Sequence, residues 1–159
     1  MCSSDLVSAD GRLYVNNSGS ISVFNASTGA VINPAFITGL SRPFGLSLDG
    51  LGNLFVADNG TGLVGKYDAN TGSAINLALI SVPSVFQVLA DGLGSVYVAA
   101  PDTGSGVGRY DATTGAPITA PLITGFNQNM GMGLDGLGNL YVAGYGTNTI
   151  GKFNAGTGA

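Results

Sequence analysis

Asp68-Ala69-Asn70-Thr71-Gly72 decides how this chain is read, because the phrase returns as Asp111-Ala112-Thr113-Thr114-Gly115. With Asn in place of Asp it also stands at Asn25-Ala26-Ser27-Thr28-Gly29 and Asn154-Ala155-Gly156-Thr157-Gly158. Thr28, Thr71, Thr114 and Thr157 are spaced 43 residues apart at every step. The aromatic ahead of each phrase keeps the same phase: Phe24, Tyr67, Tyr110 and Phe153. Self-similarity at a fixed period of this size means one supersecondary unit copied in tandem, whose copies bury their apolar faces against one another.

Working outward from the phrase, each unit divides into four short apolar runs. The second is the most regular: Leu13-Tyr14-Val15, Leu54-Phe55-Val56, Val96-Tyr97-Val98 and Leu140-Tyr141-Val142. Both of its alternating faces are apolar, so both are expected to be covered. An Asp-Gly pair precedes it each time, at Asp10-Gly11, Asp49-Gly50, Asp91-Gly92 and Asp135-Gly136, which is a hairpin signal. First strands are expected over Val7 to Ala9, Gly45 to Leu48, Gln87 to Ala90 and Met132 to Leu134. Third strands are expected over Ile21 to Asn25, Val64 to Asp68, Val107 to Asp111 and Ile150 to Asn154, and fourth strands over residues 36–38, 79–81 and 122–124. No stretch sustains a 3.6-residue apolar period. The expected fold is all-β: a β-propeller of four repeat units of about 43 residues, each a four-stranded antiparallel blade, the last lacking its fourth strand. The blades are bounded at 7–44, 45–86, 87–130 and 131–159.

Met1-Cys2-Ser3-Ser4-Asp5-Leu6 matches no repeat and back-translates to the end of a common sequencing adapter. Residues 1–6 are therefore read as a non-native tail, with the natural termini expected beyond this chain.

Composition removes whole classes of chemistry. Among 159 residues there is no His and no Glu, so the commonest general base and metal ligand is missing and every acid is an Asp. A net charge of −4 with five basic residues is the wrong balance for gripping phosphates, so no nucleic acid is expected. No apolar run approaches the roughly 20 residues of a membrane-spanning helix, so no membrane span is expected. The lone Cys2 cannot build a disulfide framework. A Gly-, Ser-, Thr- and Asn-rich, lysine-poor chain suits an extracellular or cell-surface bacterial protein; no leader of the basic-then-apolar kind is visible.

Each candidate site in the chain also has a plainer role open to it. Asp10, Asp49, Asp91 and Asp135 recur, but each is followed by Gly at a hairpin and none lies in the ligand-dense loop a calcium site requires; they are read as turn residues. Lys66, Arg109 and Lys152 share a third-strand position two residues before Asp68, Asp111 and Asn154, and local pairing is expected. Tyr67, Tyr110, Phe24 and Phe153 are read as blade-to-blade packing. The loops joining strands two to three and four to one vary most between units and lie on one face of a propeller. They carry the candidate ligand-binding residues Asn16, Asn17, Arg42, Asp58, Asn59, Asp102, Asn127, Gln128, Asn129 and Tyr145. Variable loops on a rigid scaffold are where recognition usually resides.

The run from Phe44 through Gly45-Leu46-Ser47-Leu48-Asp49-Gly50-Leu51-Gly52-Asn53-Leu54-Phe55-Val56-Ala57-Asp58, continued by Val64-Gly65-Lys66-Tyr67-Asp68, resembles an NHL-type propeller repeat. Residues 132–154 resemble it again. The resemblance implies a ring of about six blades, of which these four units would form an open arc, and tandem repeats of exported bacterial proteins. Related six-bladed lactonases and lyases use Glu and Asn metal ligands or a catalytic His. With neither Glu nor His here, no catalytic, cofactor or metal residue is carried over. The expected function is a non-catalytic binding or surface-interaction module with a protein or carbohydrate ligand and no cofactor. The alternative is a truncated lactonase- or lyase-like enzyme whose catalytic residues lie in missing blades. An open arc would leave its end faces uncovered, around Leu13, Val15, Leu140 and Val142, and self-association is expected there.

Overall fold

The computed structural model describes residues 5–100, 106–126, 129–146 and 148–159. Among these residues there are fifteen strands and no helix. The first sheet runs β1 (Asp5–Val7), β2 (Arg12–Asn16), β3 (Ser20–Asn25) and β4 (Val31–Thr38). The second runs β5 (Pro43–Leu48), β6 (Asn53–Asp58), β7 (Leu63–Asp68) and β8 (Ala74–Ser81). The third runs β9 (Gln87–Ala90), β10 (Ser95–Ala100), β11 (Gly106–Asp111) and β12 (Pro117–Ile123). The fourth has three strands, β13 (Asn129–Leu134), β14 (Asn139–Gly144) and β15 (Thr149–Asn154). Within each sheet the strands follow chain order and every pair is antiparallel, so each sheet is an up-and-down meander.

The expected hairpins form at the Asp-Gly pairs. Gly11, Gly50, Gly92 and Gly136 have φ of 77, 72, 68 and 71°, a region where a side chain is strained. In the second, third and fourth units the Asp side chain closes the turn: Asp49 Oδ1 accepts the backbone N–H groups of Leu51 and Asn53 at 2.8 and 3.0 Å. Asp91 and Asp135 repeat this with Leu93 and Ser95 and with Leu137 and Asn139. In the shorter first turn, Ser8 and Ala9 belong to the turn rather than to a strand. Ser8 exchanges backbone and side-chain hydrogen bonds with Arg12, and β1 begins at Asp5 instead of Val7. Leu6 packs on the core between the first two sheets.

The fourth strands are longer than expected, β4 and β8 having eight residues each. Their first five residues are exposed, and Pro34 and Asn33 obscure any alternation. The extension pairs through a register shift, at which Asn33 Oδ1 accepts the Ala35 N–H and Asn76 Oδ1 the Ala78 N–H, both at 3.0 Å.

Three apolar clusters hold the four sheets, one at each consecutive joint. Tyr14, Ile21 and Val23 of the first sheet meet Leu46, Leu54, Val56 and Tyr67 of the second. Phe55 and Val64 meet Val88, Val96 and Val98 of the third, and Tyr97, Ala99 and Val107 meet Leu140 and Val142 of the fourth. Adjacent strand residues therefore face opposite neighbours. Among the described residues no cluster joins the fourth sheet to the first, so the four blades form an open arc. One expectation is corrected here: Leu140 and Val142 are fully buried, because they face the third sheet. The outer face of the fourth sheet is carried by the intervening residues, Tyr141 and Ala143, and by Ile150. Leu13 and Val15, on the outer face of the first sheet, are half-buried.

Candidate functional site

The four sheets present two rims. The Asp-Gly hairpins and the Asp-Ala-x-Thr-Gly turns lie on one; the loops between second and third strands and between successive sheets lie on the other. The first rim is a scaffold of self-contained turns. Asp68 Oδ1 accepts from the N–H groups of Asn70 and Thr71 and from the Thr71 hydroxyl, at 2.8 to 3.0 Å. Asp111 does the same with Thr113 and Thr114. These donors, the Thr71 and Thr114 N–H groups foremost, hold both carboxyls below the usual Asp range. Asp135 is lowered to about 2, chiefly by the Asn139 side-chain amide, with the Leu137 and Asn139 N–H groups and the Tyr141 hydroxyl adding to it. Such carboxylates are spent on their own turns, as the plain reading of Asp49, Asp91 and Asp135 expects. Leu51, Leu93 and Leu137 at the turn tips are 74, 90 and 85% exposed, a repeated apolar row that the turn geometry does not require.

The expected local pairing of Lys66 with Asp68 and Arg109 with Asp111 does not form. Each Asp curls back into its own turn, and the cation turns to the aromatic paired with it on the neighbouring strand. Lys66 lies over Phe55, Arg109 over Tyr97 and Lys152 over Tyr141, at 5.5 to 6.0 Å from the ring centroids. Lys66 Nζ also donates to the Ala112 carbonyl at 3.1 Å, and Arg109 to Ser95 Oγ. Tyr67, Tyr110 and Phe153 pack as expected, each against the core at a joint, whereas Phe24 is half-buried on the first sheet and belongs to none of the three clusters, because no preceding sheet covers it. Burial raises the phenol pKa of Tyr14, Tyr67, Tyr97 and Tyr110.

The second rim holds the candidate ligand-binding residues. Asn16 Nδ2 donates to the Pro43 and Phe44 carbonyls at 3.0 and 2.8 Å, tying the first sheet to the second. Asn59 Nδ2 donates to the Val85 carbonyl at 3.1 Å, tying the second to the third. Asp58 is buried and its two oxygens accept the N–H groups of Ser41 and Arg42, at 3.0 and 2.6 Å. These three residues shape the rim from below. Asn17, Arg42 and Tyr145 are exposed on it; Asn17 donates to Ser22 Oγ, and Arg42 reaches Asn59 Oδ1 at 3.3 Å. Asn129 opens β13, its backbone paired with Gly144. Asp102, Asn127 and Gln128 lie outside the described residues.

The rim also contains a pair that the sequence reading passed over. Phe44 and Phe86 stack with centroids 4.9 Å apart and planes 9° from parallel, and Arg42 stands 5.9 Å from the Phe44 centroid. Both rings are half-buried. They occupy corresponding places, one at the start of β5 and one just before β9. Their 42-residue separation was the available signal.

One cleft of about 110 Å³ lies among Asp49, Asn53, Lys66, Ser95 and Ala112 on the turn rim. Another of about 160 Å³ is lined by Val82, Val98, Gly108, Tyr110 and Pro121. Both fall short of the roughly 300 Å³ from which small-molecule pockets start. No group of three or more metal-ligating side chains and no helix long and apolar enough to cross a membrane occurs among the described residues.

No protein-family model matches this sequence, and no curated protein matches it. Solved structures do. Hydrazine synthase of Kuenenia stuttgartiensis superposes with a TM-score of 0.74 at 17% identity, over 97% of this chain and 46% of that one. The computationally designed protein Ika8 gives 0.70 at 16% identity, over 98% of this chain and 46% of its own. A gluconolactonase from Xanthomonas campestris gives 0.71 at 16% identity, over 88% of this chain and 52% of that one. The chain thus spans about half the length of the structures it matches. At these identities the likeness is one of fold: the chain is a β-propeller.

Proposed function

We propose that this chain is a non-catalytic binding module of the NHL-repeat kind, from an exported bacterial protein, which recognises a protein or carbohydrate surface with its variable loop rim. The observation that carries this reading is the Arg42, Phe44 and Phe86 cluster on the loop rim, raised on the Asn16, Asp58 and Asn59 supports. Aromatic rings and a guanidinium are among the groups enriched where proteins bind one another. The two clefts described above are smaller than a small-molecule pocket, which suits a surface ligand better than a small substrate. A chain without His or Glu offers poor means for acid–base chemistry.

The likeness to a gluconolactonase favours one second reading, an enzyme of the six-bladed lactonase or lyase kind whose catalytic groups lie on further blades. The two readings separate in one set of assays. The chain is applied to arrays of bacterial and plant polysaccharides and of extracellular matrix proteins, alongside Arg42→Ala, Tyr145→Ala and the turn-rim control Leu93→Ser. Binding that falls about tenfold in the loop-rim variants and persists in the control supports the module. Binding lost only in Leu93→Ser contradicts it. Hydrolysis of an aldonolactone by the full-length protein, dependent on added calcium or zinc, would establish the second reading.

A further inference from the structure

The three joints within the chain are built alike, and each runs one way. A donor on the outgoing face of one sheet reaches the carbonyl of the Ala in the next sheet's Asp-Ala-x-Thr-Gly turn. Tyr14 Oη donates to the Ala69 carbonyl at 2.7 Å and Tyr97 Oη to the Ala155 carbonyl at 3.0 Å. At the middle joint the ring is Phe55, which has no hydroxyl, and Lys66 Nζ reaches the Ala112 carbonyl instead. Beside each donor a β-branched residue is sealed by the joint: Ile21, Val64 and Val107 are each 0% exposed. On the receiving side, Ala69, Ala112 and Ala155 are 6, 7 and 6% exposed.

The ends of the arc hold the two separated halves of that joint. The outgoing face of the fourth sheet presents Tyr141 and, at the position of Ile21, Val64 and Val107, Ile150, which is 75% exposed. The incoming face of the first sheet presents Ala26, exposed where its three counterparts are buried, together with half-buried Leu13 and Val15. Gly29 shows the same contrast. A Cβ on Gly72, Gly115 or Gly158 would stand 1.8 to 2.3 Å from a carbonyl oxygen of the preceding sheet, whereas one on Gly29 meets nothing within 4 Å.

We propose that in the 159-residue chain these halves engage between molecules, where a longer chain would supply a further blade of its own: a second copy docks head to tail, its first sheet covering the fourth sheet of its neighbour. The Ala26 turn then takes the place at Tyr141 and Ile150 that the later turns take at the internal joints. Tyr141 Oη exchanges its long, exposed bond to Asp135 Oδ2, 3.3 Å, for the Ala26 carbonyl. The occupant is a copy of this chain because both halves of the joint lie on it, in the polarity that the internal joints already show. Head-to-tail contacts of this kind continue until a ring closes. The joint is narrower than the internal ones, since the fourth sheet has three strands and offers Gly29 no fourth-strand carbonyl.

The test is sedimentation of the 159-residue chain over a concentration series, with variants of each end. The parent chain is expected to sediment above its 15.8 kDa monomer mass as concentration rises. Ile150→Asp blocks the outgoing face and Ala26→Glu the incoming face; each alone is expected to remain monomeric. An equimolar mixture of the two retains one competent joint and is expected to form a dimer and nothing larger. Both substitutions lie at exposed positions, and circular dichroism confirms the fold. Tyr141→Phe, which removes one hydroxyl, is expected to weaken association several-fold. A parent chain that stays at 15.8 kDa at every concentration, a variant that self-associates as the parent does, or a mixture that stays monomeric would each overturn the proposal.

Discussion

The Tyr14 hydroxyl donates to the Ala69 carbonyl oxygen across 2.7 Å, joining the first sheet to a turn of the second. Fifty-five residues separate the two in sequence, and the bond is buried. Tyr97 stands in the same relation to Ala155 at the third joint. A buried carbonyl that loses its donor retains its desolvation cost, so deletion of the hydroxyl costs more than the bond's small net contribution. Tyr97→Phe is expected to destabilise the fold by about 1–2 kcal/mol in urea unfolding. An unchanged midpoint and slope would show that the bond does not support the joint.

Two glycines separate backbone strain from crowding at the joints. Gly29 and Gly115 occupy equivalent turn positions with φ of 70 and 73°. A Cβ at Gly29 enters open space, while one at Gly115 stands 1.8 Å from the Leu79 carbonyl oxygen. Gly29→Ala is expected to cost about 1 kcal/mol from the left-handed backbone alone. Gly115→Ala carries the same strain and a further cost of about 1–3 kcal/mol for overpacking. Equal losses in thermal unfolding would mean that the third sheet does not close on the second as described.

Acid should loosen the turns in a definite window. Hydrogen bonds lower the Asp135 pKa to about 2 from its ordinary 3.8. A depressed carboxyl contributes stability that is present above its unfolded pKa and lost as pH falls through the folded value. The contribution of Asp135 is therefore level from neutral pH down to about 4 and declines between about 4 and 2. Asp68 and Asp111 are lowered as well and act in the same direction. The expected result is a melting temperature that falls below pH 4, with a shallower fall in Asp135→Asn. An identical pH profile for that variant would remove Asp135 from the account.

Much of this fold is legible as period and punctuation. Thr71-Gly72 and its counterparts set the unit length, Asp49-Gly50 and its counterparts mark the hairpins, and the runs around Phe55 mark doubly covered strands. What the pattern does not carry is direction. A strand apolar on both faces does not say which neighbour each residue meets, and so the pattern alone leaves the face of Leu140 and Val142 undecided; they meet the third sheet. Lys66 shows the same limit: two-residue spacing suggests Asp68, but the Asp is engaged by its own turn and the cation crosses to Ala112. On the loop rim, Asn16, Asp58 and Asn59 read as candidate ligand-binding residues, and their bracing bonds are invisible in sequence because the acceptors and donors come from other loops. Phe44 and Phe86 look like ordinary core residues until the sheets bring them together.

Successive sheets are held by a one-way latch, in which Lys66 supplies the donor that Phe55 lacks. A double-mutant cycle on these two residues tests it most directly. Lys66→Met leaves the Ala112 carbonyl without that donor and is expected to lower stability by about 1.5–3 kcal/mol. Phe55→Tyr in that background places a hydroxyl where Tyr14 and Tyr97 carry theirs, and should restore about 1 kcal/mol. In the parent background the added hydroxyl meets a carbonyl already engaged, so Phe55→Tyr should give no gain. The predicted result is a favourable coupling energy on the order of 1 kcal/mol or more between the two substitutions. Strictly additive effects, with the double variant no more stable than Lys66→Met alone, would contradict the latch.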